Sequence, residues 1–236
     1  MTEGFALRPP TAAHAQAVRT AWASGGLRTV LPAGTPWYRV VRAHSPREAA
    51  QYAREAYAST AEVRFSPVMD AHGIVPVAYA GDSVRVALWE TVLRGIRHEG
   101  AKRVTHRHLI NRHLLELRLS AEQMLVDLTR PAIAQLALPG ERPPDLSGAW
   151  PQAYALTRAW AQCLYEATPG AQGFVYESHQ LEGHCIVLFD RRGATLFNVV
   201  ANVGPVAEGD TRRILIDEAA RAGASVDFAD LEGDAD

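Results

Sequence analysis

Short β-prone runs and helical patterns follow one another along this chain in no regular order, and that irregularity constrains its fold more than any single motif. Trp37 to Val41 (WYRVV), Val75 to Ala80, His113 to Leu119, Met124 to Leu128, Phe174 to Tyr176, His184 to Phe189 and Thr195 to Val200 read as strands. Helical spacing runs from Pro10 to Ser24, from Ser45 to about Tyr57, from Asp82 past Leu93, from Pro151 to Ala167 and from about Thr211 to Ala222. A doubly wound sheet would need βαβ units opening on a glycine-rich turn. The chain has neither G-x-G-x-x-G nor a Walker A sequence, and no internal repeat. The pattern predicts an α+β fold, with mostly antiparallel strands and helices packed around them.

At 236 residues with 47% hydrophobic and 21% charged residues, the chain can bury one generous domain, or a domain with an N-terminal addition. A net charge of −2 gives no general attraction to nucleic acid or to an anionic membrane. Any phosphate must therefore be met by individual arginines. Cys163 and Cys185 stand in apolar surroundings and read as two reduced core thiols. No apolar run reaches the length of a membrane span, and the start, MTEGFALRPP, lacks a secretory pattern, so a cytoplasmic protein is expected.

Four residues stand in settings that suit an anionic, ribose-containing ligand: Arg64 in AEVRFSPV, Tyr79 in VPVAYAGDS, Glu90 in VALWETVL and Ser178 in VYESHQLEG. Glu90 interrupts an apolar run, where a carboxylate is costly unless paired or used. Its plain alternative is a boundary glutamate paired with Arg94 at i,i+4. Arg64 has the fork geometry for phosphate, beside an aromatic, but most single arginines are surface salt-bridge partners. Tyr79 ends a strand among small residues, or is a core tyrosine with its hydroxyl at the edge. Ser178 begins a polar loop with no G-x-S-x-G elbow around it, so it reads as a hydrogen-bonding hydroxyl and not as a hydrolase nucleophile. Arg39, in the middle of WYRVV, is a further cation; facing the same cleft as Arg64, it would grip a pyrophosphate from the other side. His106, His108 and His113 lie in THRHLINRH, where a metal pair on a strand is conceivable but a solvated or partner-binding segment fits better.

Taken in order, WYRVV, Arg64, VAYAGDS and ALWET, with ten residues between Tyr79 and Glu90, followed by YESHQLEGHCIVLFDRR, resemble the RES domain family. The resemblance spans roughly Tyr38 to Val200. Two local departures stand out: SPVMDAHG follows Arg64 where many relatives have a tighter loop, and Ser178 stands in a YES context where PS is more frequent. The resemblance implies an ADP-ribosyltransferase-like core whose cleft holds NAD in a bent form. It implies that Arg39 and Arg64 neutralise the pyrophosphate, that Tyr79 orients the nicotinamide–ribose end, and that Ser178 hydrogen-bonds the ligand or an incoming phosphate. Glu90 would hold the ribose hydroxyls and stabilise positive charge on the sugar as nicotinamide leaves.

The expected organisation is a helical extension over 1–36, a RES-like NAD-binding domain over 37–228 and an acidic tail over 229–236. The expected function is a toxin that degrades NAD by hydrolysis or phosphorolysis of the nicotinamide–ribose bond, with NAD as substrate, no cofactor and no metal. By the same resemblance its partner is a small antitoxin with an Xre-like helix-turn-helix. Neither nucleic acid nor membrane is an expected partner, and self-association is compatible with the sequence. Two alternatives stay open: a mono-ADP-ribosyltransferase acting on a protein, and a non-catalytic module that docks a partner through its His/Arg segment.

Overall fold

Thr11 opens the first helix by accepting a hydrogen bond from the His14 backbone N–H, while the His14 ring reaches back to the Thr11 N–H. The resulting helix α1 (Ala12–Ser24) ends on Gly25, whose φ of 87° is the left-handed geometry a helix terminus favours in glycine. In the computed structural model, which describes residues 7–57, 63–94, 96, 102–148, 153–190 and 195–228, α1 is followed by β1 (Arg28–Leu31) and β2 (Pro36–Arg42). Helix α2 (Pro46–Arg54) starts as the sequence predicts, with Ser45 as cap and proline at the first helical position. Then come β3 (Met69–Asp70), β4 (Gly73–Ile74), β5 (Val77–Gly81) and α3 (Val84–Trp89). After β6 (Arg103–Val104) follow β7 (Arg112–Leu119), β8 (Gln123–Asp127), α4 (Tyr154–Ala167), β9 (Gly173–Glu177), β10 (His184–Phe189) and β11 (Phe197–Pro205). Helix α5 (Gly209–Arg221) and β12 (Ser225–Val226) complete the described chain.

Eight strands form one sheet in the order β1-β8-β9-β10-β5-β2-β7-β11. Within it only β8 and β9 run parallel, so the expected α+β class with mostly antiparallel strands is what the structure shows. One seam is thin. The strands β2 and β5 are paired only at Tyr38 and Gly81, whereas β2 pairs with β7 over seven residues from Pro36 to Arg42. The sheet can therefore splay between β5 and β2, and α3 sits where it does so.

Alternation along the strands sorts the core. Strand β10 sends Cys185, Val187 and Phe189 to the face covered by α1 and α4, through Val18, Trp22, Trp160 and Leu164. Its Ile186 and Leu188 join Trp37, Val41, Leu115 and Leu117 under Ala49 and Ala53 of α2. A third cluster unites Val40 and Leu114 with Leu88 and Trp89 of α3 and Leu215 and Ala219 of α5. The segment before residue 36 is built into this body, since α1 fills the first cluster and β1 pairs antiparallel with β8.

Several elements differ from their sequence-based expectations. Helix α3 stops at Trp89, because the Thr91 hydroxyl takes the Ala87 carbonyl at 2.6 Å and the chain continues in turns; Glu90 is its C-cap, not an interior residue. Residues His106–His108 form a 3-10 turn, so the two histidines do not share a strand face. Strand β1 escapes the sequence reading because it is four residues long and half exposed. The expected turn at 191–193 and the acidic tail lie outside the described residues. Both cysteines are free thiols.

Candidate active site

Four of the five expected site residues gather beside the splayed seam. Tyr79 comes from β5, Glu90 from the end of α3, Ser178 from the loop after β9, and Arg64 from the turn that precedes β3. Close approach of these elements needs glycine at two places. A side chain at Gly81 would meet Val86 Cγ1 at 2.8 Å, and one at Gly183, whose φ is 146°, would meet Val86 Cγ2 at 2.6 Å. Ser83 then caps α3 by accepting from the Val86 N–H at 3.2 Å, which aims the helix end into the cleft.

The Glu90 carboxylate is held by the loop opposite. The Ser178 hydroxyl donates to Oε1 at 2.6 Å and the His179 backbone N–H donates to the same oxygen at 3.2 Å. No donor among the described residues takes Oε2. The Ser178 oxygen in turn accepts from the Gln180 N–H at 3.2 Å, and the Ser178 N–H donates to the Gly183 carbonyl at 2.9 Å, closing the loop on itself. Asp82 pins the far end by accepting from the His184 N–H at 2.6 Å. The serine is thus a positioning hydroxyl, and the Glu90–Arg94 pair that i,i+4 spacing suggests does not form.

Arg64 is 4% exposed, and its Nε and Nη1 have no hydrogen-bond partner among the described residues. Its guanidinium lies 5.8 Å from the centre of the Tyr176 ring, and its carbonyl accepts from the Thr157 hydroxyl at 2.5 Å. Leaving a buried cation unpaired costs several kcal/mol, so such a group is expected at a site completed by an anion. Tyr79 is tied to the same turn: its hydroxyl accepts from the Phe65 N–H at 3.3 Å. Burial raises the Tyr79 phenol above its ordinary value, partly offset by that bond and by the charges of Arg64 and Arg94, so Tyr79 is neutral and can donate its proton onward. Burial, and after it the neighbouring Cys185 and Glu90, likewise push the Tyr176 phenol well up. The Cys185 thiol is pushed well up by burial and then by Glu90, which leaves it a protonated wall of the site and not a nucleophile.

Arg39 is not part of this cluster. It leaves β2 on the face of Trp37 and Val41, and donates from Nη1 to the Ala53 and Glu55 carbonyls at 3.2 and 2.9 Å, with its guanidinium 5.7 Å from the Tyr57 ring centre. Burial lowers its pKa to about 10. The structure thus places Arg39 and Arg64 on opposite faces of the sheet, and the two-sided grip expected from sequence is not made by this pair. A surface cavity of about 660 Å³, lined by Arg47, Gln51, Arg54 and Glu55, lies on the Arg39 side, away from Glu90. No cluster of three or more His, Cys, Asp or Glu residues suited to a metal occurs among the described residues.

Sequence reasoning passed over Tyr176 and Thr157, and met Arg94 only as the i,i+4 partner in the plain alternative for Glu90. Tyr176 had a usable signal, since it lies two residues before Ser178 in the strand that leads into that loop. Thr157 had none, because its contact depends on which turn of α4 packs against Arg64.

The fold is one that a solved structure shares. It matches a chain in the crystal structure of the M. tuberculosis MbcT-MbcA toxin-antitoxin complex with a TM-score of 0.51 at 14% identity, covering 89% of this chain and 98% of that one, which establishes a shared fold. No curated protein matches the sequence. The model of the RES domain matches residues 36–214, the segment that carries Arg64, Tyr79, Glu90 and Ser178. The chain belongs to the RES domain family.

Proposed function

We propose that this protein is a toxin that consumes NAD by breaking the nicotinamide–ribose bond, with water or phosphate as acceptor. One observation carries the reading: a buried guanidinium, Arg64, whose Nε and Nη1 have no partner among the described residues, lies over Tyr176, two residues from the serine that with His179 fixes Oε1 of the Glu90 carboxylate. The guanidinium suits the pyrophosphate and the carboxylate suits the sugar. As the C1′–N bond breaks, its electron pair leaves with nicotinamide and neutralises the pyridinium. Positive charge builds on the ribose, and Glu90, oriented before the reaction, stabilises it. A water or phosphate oxygen then bonds C1′; when water attacks, the proton passes to solvent. Tyr79, a neutral phenol beside Arg64, orients the nicotinamide–ribose end.

A toxin of this kind needs restraint, and the complex named above pairs a toxin with an antitoxin. We extend that arrangement to this chain: its partner is a small Xre-like antitoxin that covers the cleft. No helix among the described residues is long and apolar enough to cross a membrane. Incubation of the purified chain with NAD, with and without phosphate, followed by product analysis, tests the proposal. Free nicotinamide with ADP-ribose or its 1-phosphate is the expected outcome. Intact NAD in both arms overturns it, and label retained on protein indicates transfer to a side chain instead.

A further inference from the structure

A second cation near the site lacks an ionic partner among the described residues. Arg94 lies four residues beyond Glu90, yet only Oε1 of that carboxylate is held, by Ser178 and His179, and Arg94 turns to Tyr154. Its guanidinium sits 5.2 Å from the Tyr154 ring centre and its Nη2 donates to the Tyr154 hydroxyl. Tyr154 opens α4 and is 7% exposed, so it is a fixed support. None of the ion pairs among the described residues involves Arg94 or Arg64.

The two arginines are joined through one residue. The Thr157 hydroxyl lies 2.5 Å from the Arg64 carbonyl and 3.1 Å from the Tyr154 carbonyl, so the first turn of α4 touches the Arg64 backbone and also carries the phenol that Arg94 meets. Tyr79 is bound to the Arg64 turn through the Phe65 N–H at 3.3 Å, and the charges of both arginines act to lower its phenol. An aromatic face and a phenolic oxygen hold a cation in place without neutralising it. Two such cations tied to one turn of α4 suit a ligand with two adjacent anionic groups.

We propose that Arg94, braced by Tyr154, is a second phosphate-binding residue of the cleft and that it, with Arg64, grips the paired phosphates of a diphosphate-bridged ligand. The assignment rests on the reading of the cleft as an NAD site only for the identity of that ligand; the anion-binding role stands on the two arginines alone. Arg94 takes the place that the sequence suggested for Arg39.

The test uses the full chain and inorganic pyrophosphate as probe, by calorimetry over a series of salt concentrations, alongside steady-state turnover of NAD. Arg94→Gln is expected to weaken pyrophosphate binding by about tenfold or more, the loss of one charge-assisted contact, and to flatten its salt dependence. The same variant raises KM for NAD by a similar factor while kcat stays within about threefold of the parent. Tyr154→Phe, which keeps the ring and the cation but removes the hydroxyl, gives a smaller change in the same direction and serves if Arg94→Gln folds poorly. Pyrophosphate bound by Arg94→Gln or Tyr154→Phe as tightly as by the parent, at every salt concentration, overturns the proposal. A parent that binds pyrophosphate through Arg94 but leaves NAD intact sustains this assignment and removes the NAD reading. A parent that consumes NAD with an unchanged KM in Arg94→Gln does the reverse.

Discussion

The Ser178 hydroxyl donates to Glu90 Oε1 at 2.6 Å across 88 residues of chain, while Arg94, the partner that helical spacing would have given the glutamate, donates to the Tyr154 hydroxyl. These two contacts set two features of the site: a carboxylate with one oxygen fixed and a guanidinium with no carboxylate partner among the described residues. The consequences can be measured.

Glu90→Gln keeps the shape of the side chain but removes the charge that stabilises the sugar in the transition state. NAD consumption is expected to fall by about two to three orders of magnitude, the usual scale for losing one preorganised electrostatic group. Ser178→Ala leaves the charge but releases its orientation, and a loss of about tenfold to a hundredfold in kcat is expected. A Ser178→Ala variant as inactive as Glu90→Gln would instead make the hydroxyl a direct participant.

Arg64→Met separates function from stability. A buried cation without a partner opposes folding, and an apolar side chain of similar length is often neutral or stabilising by about 1–4 kcal/mol at such sites. The variant is expected to lose NAD turnover while its melting temperature stays level or rises. A sharp fall in melting temperature would show that Arg64 supports the fold.

Ligand binding should reverse that cost in the parent. ADP-ribose at about a hundred times its Kd is expected to add about 2.7 kcal/mol of stability, seen as a rise in Tm, and to add nothing to Arg64→Met. An equal rise in both chains would place the ligand elsewhere.

Glu218 gives the α3–α5 contact a pH dependence. It is 2% exposed and accepts from Arg85 Nε at 2.8 Å, Arg85 Nη2 at 3.1 Å and Trp89 Nε1 at 2.9 Å. Burial works to raise its carboxyl, but the bonds from Arg85 and Trp89 and the charges of Arg85 and Arg221 outweigh it and hold it below the ordinary range. Because the folded value is the lower one, the stabilisation is complete above the unfolded carboxyl's pKa, about 4.3. It is lost as pH falls through the folded value. Glu218→Gln is expected to unfold at lower denaturant concentration at pH 7, with the difference from the parent shrinking in acid. A difference that does not change with pH would assign the effect to packing.

Gly183→Ala tests the loop that carries Ser178. The added methyl must enter space held by Val86 Cγ2 and Asp82, at a φ of 146° that alanine rarely adopts. Destabilisation by more than about 1 kcal/mol is expected, with a loss of NAD turnover that exceeds the loss of folded protein. Circular dichroism and turnover on the same preparation separate the two.

Much of the architecture was readable along the chain. His184 to Phe189 is a strand with the predicted bounds, and Ser45 and Ser83 cap the helices that follow them. These signals are local: β-branched runs, a hydroxyl before a helix, glycine after it. The C-terminal end of α3 was less readable, because the residue that stops it, Thr91, acts through a backbone contact and not through its propensity.

What the sequence determined by itself was the order of elements, the α+β class and the ordered set Arg64, Tyr79, Glu90 and Ser178, since each depends on neighbours within a few residues. Tertiary structure alone decided which cations join them. Alternation in β2 puts Arg39 with Trp37 and Val41, but nothing local says which helix covers that face; α2 does, and Arg39 is spent on its carbonyls. Arg94, which helical spacing offered as an alternative partner for Glu90, is held instead by Tyr154, from a helix sixty residues away in sequence. A short-range pattern fixes which side chains point the same way. Only the packing of distant elements determines what they meet: the end of α2 for Arg39 and the start of α4 for Arg94.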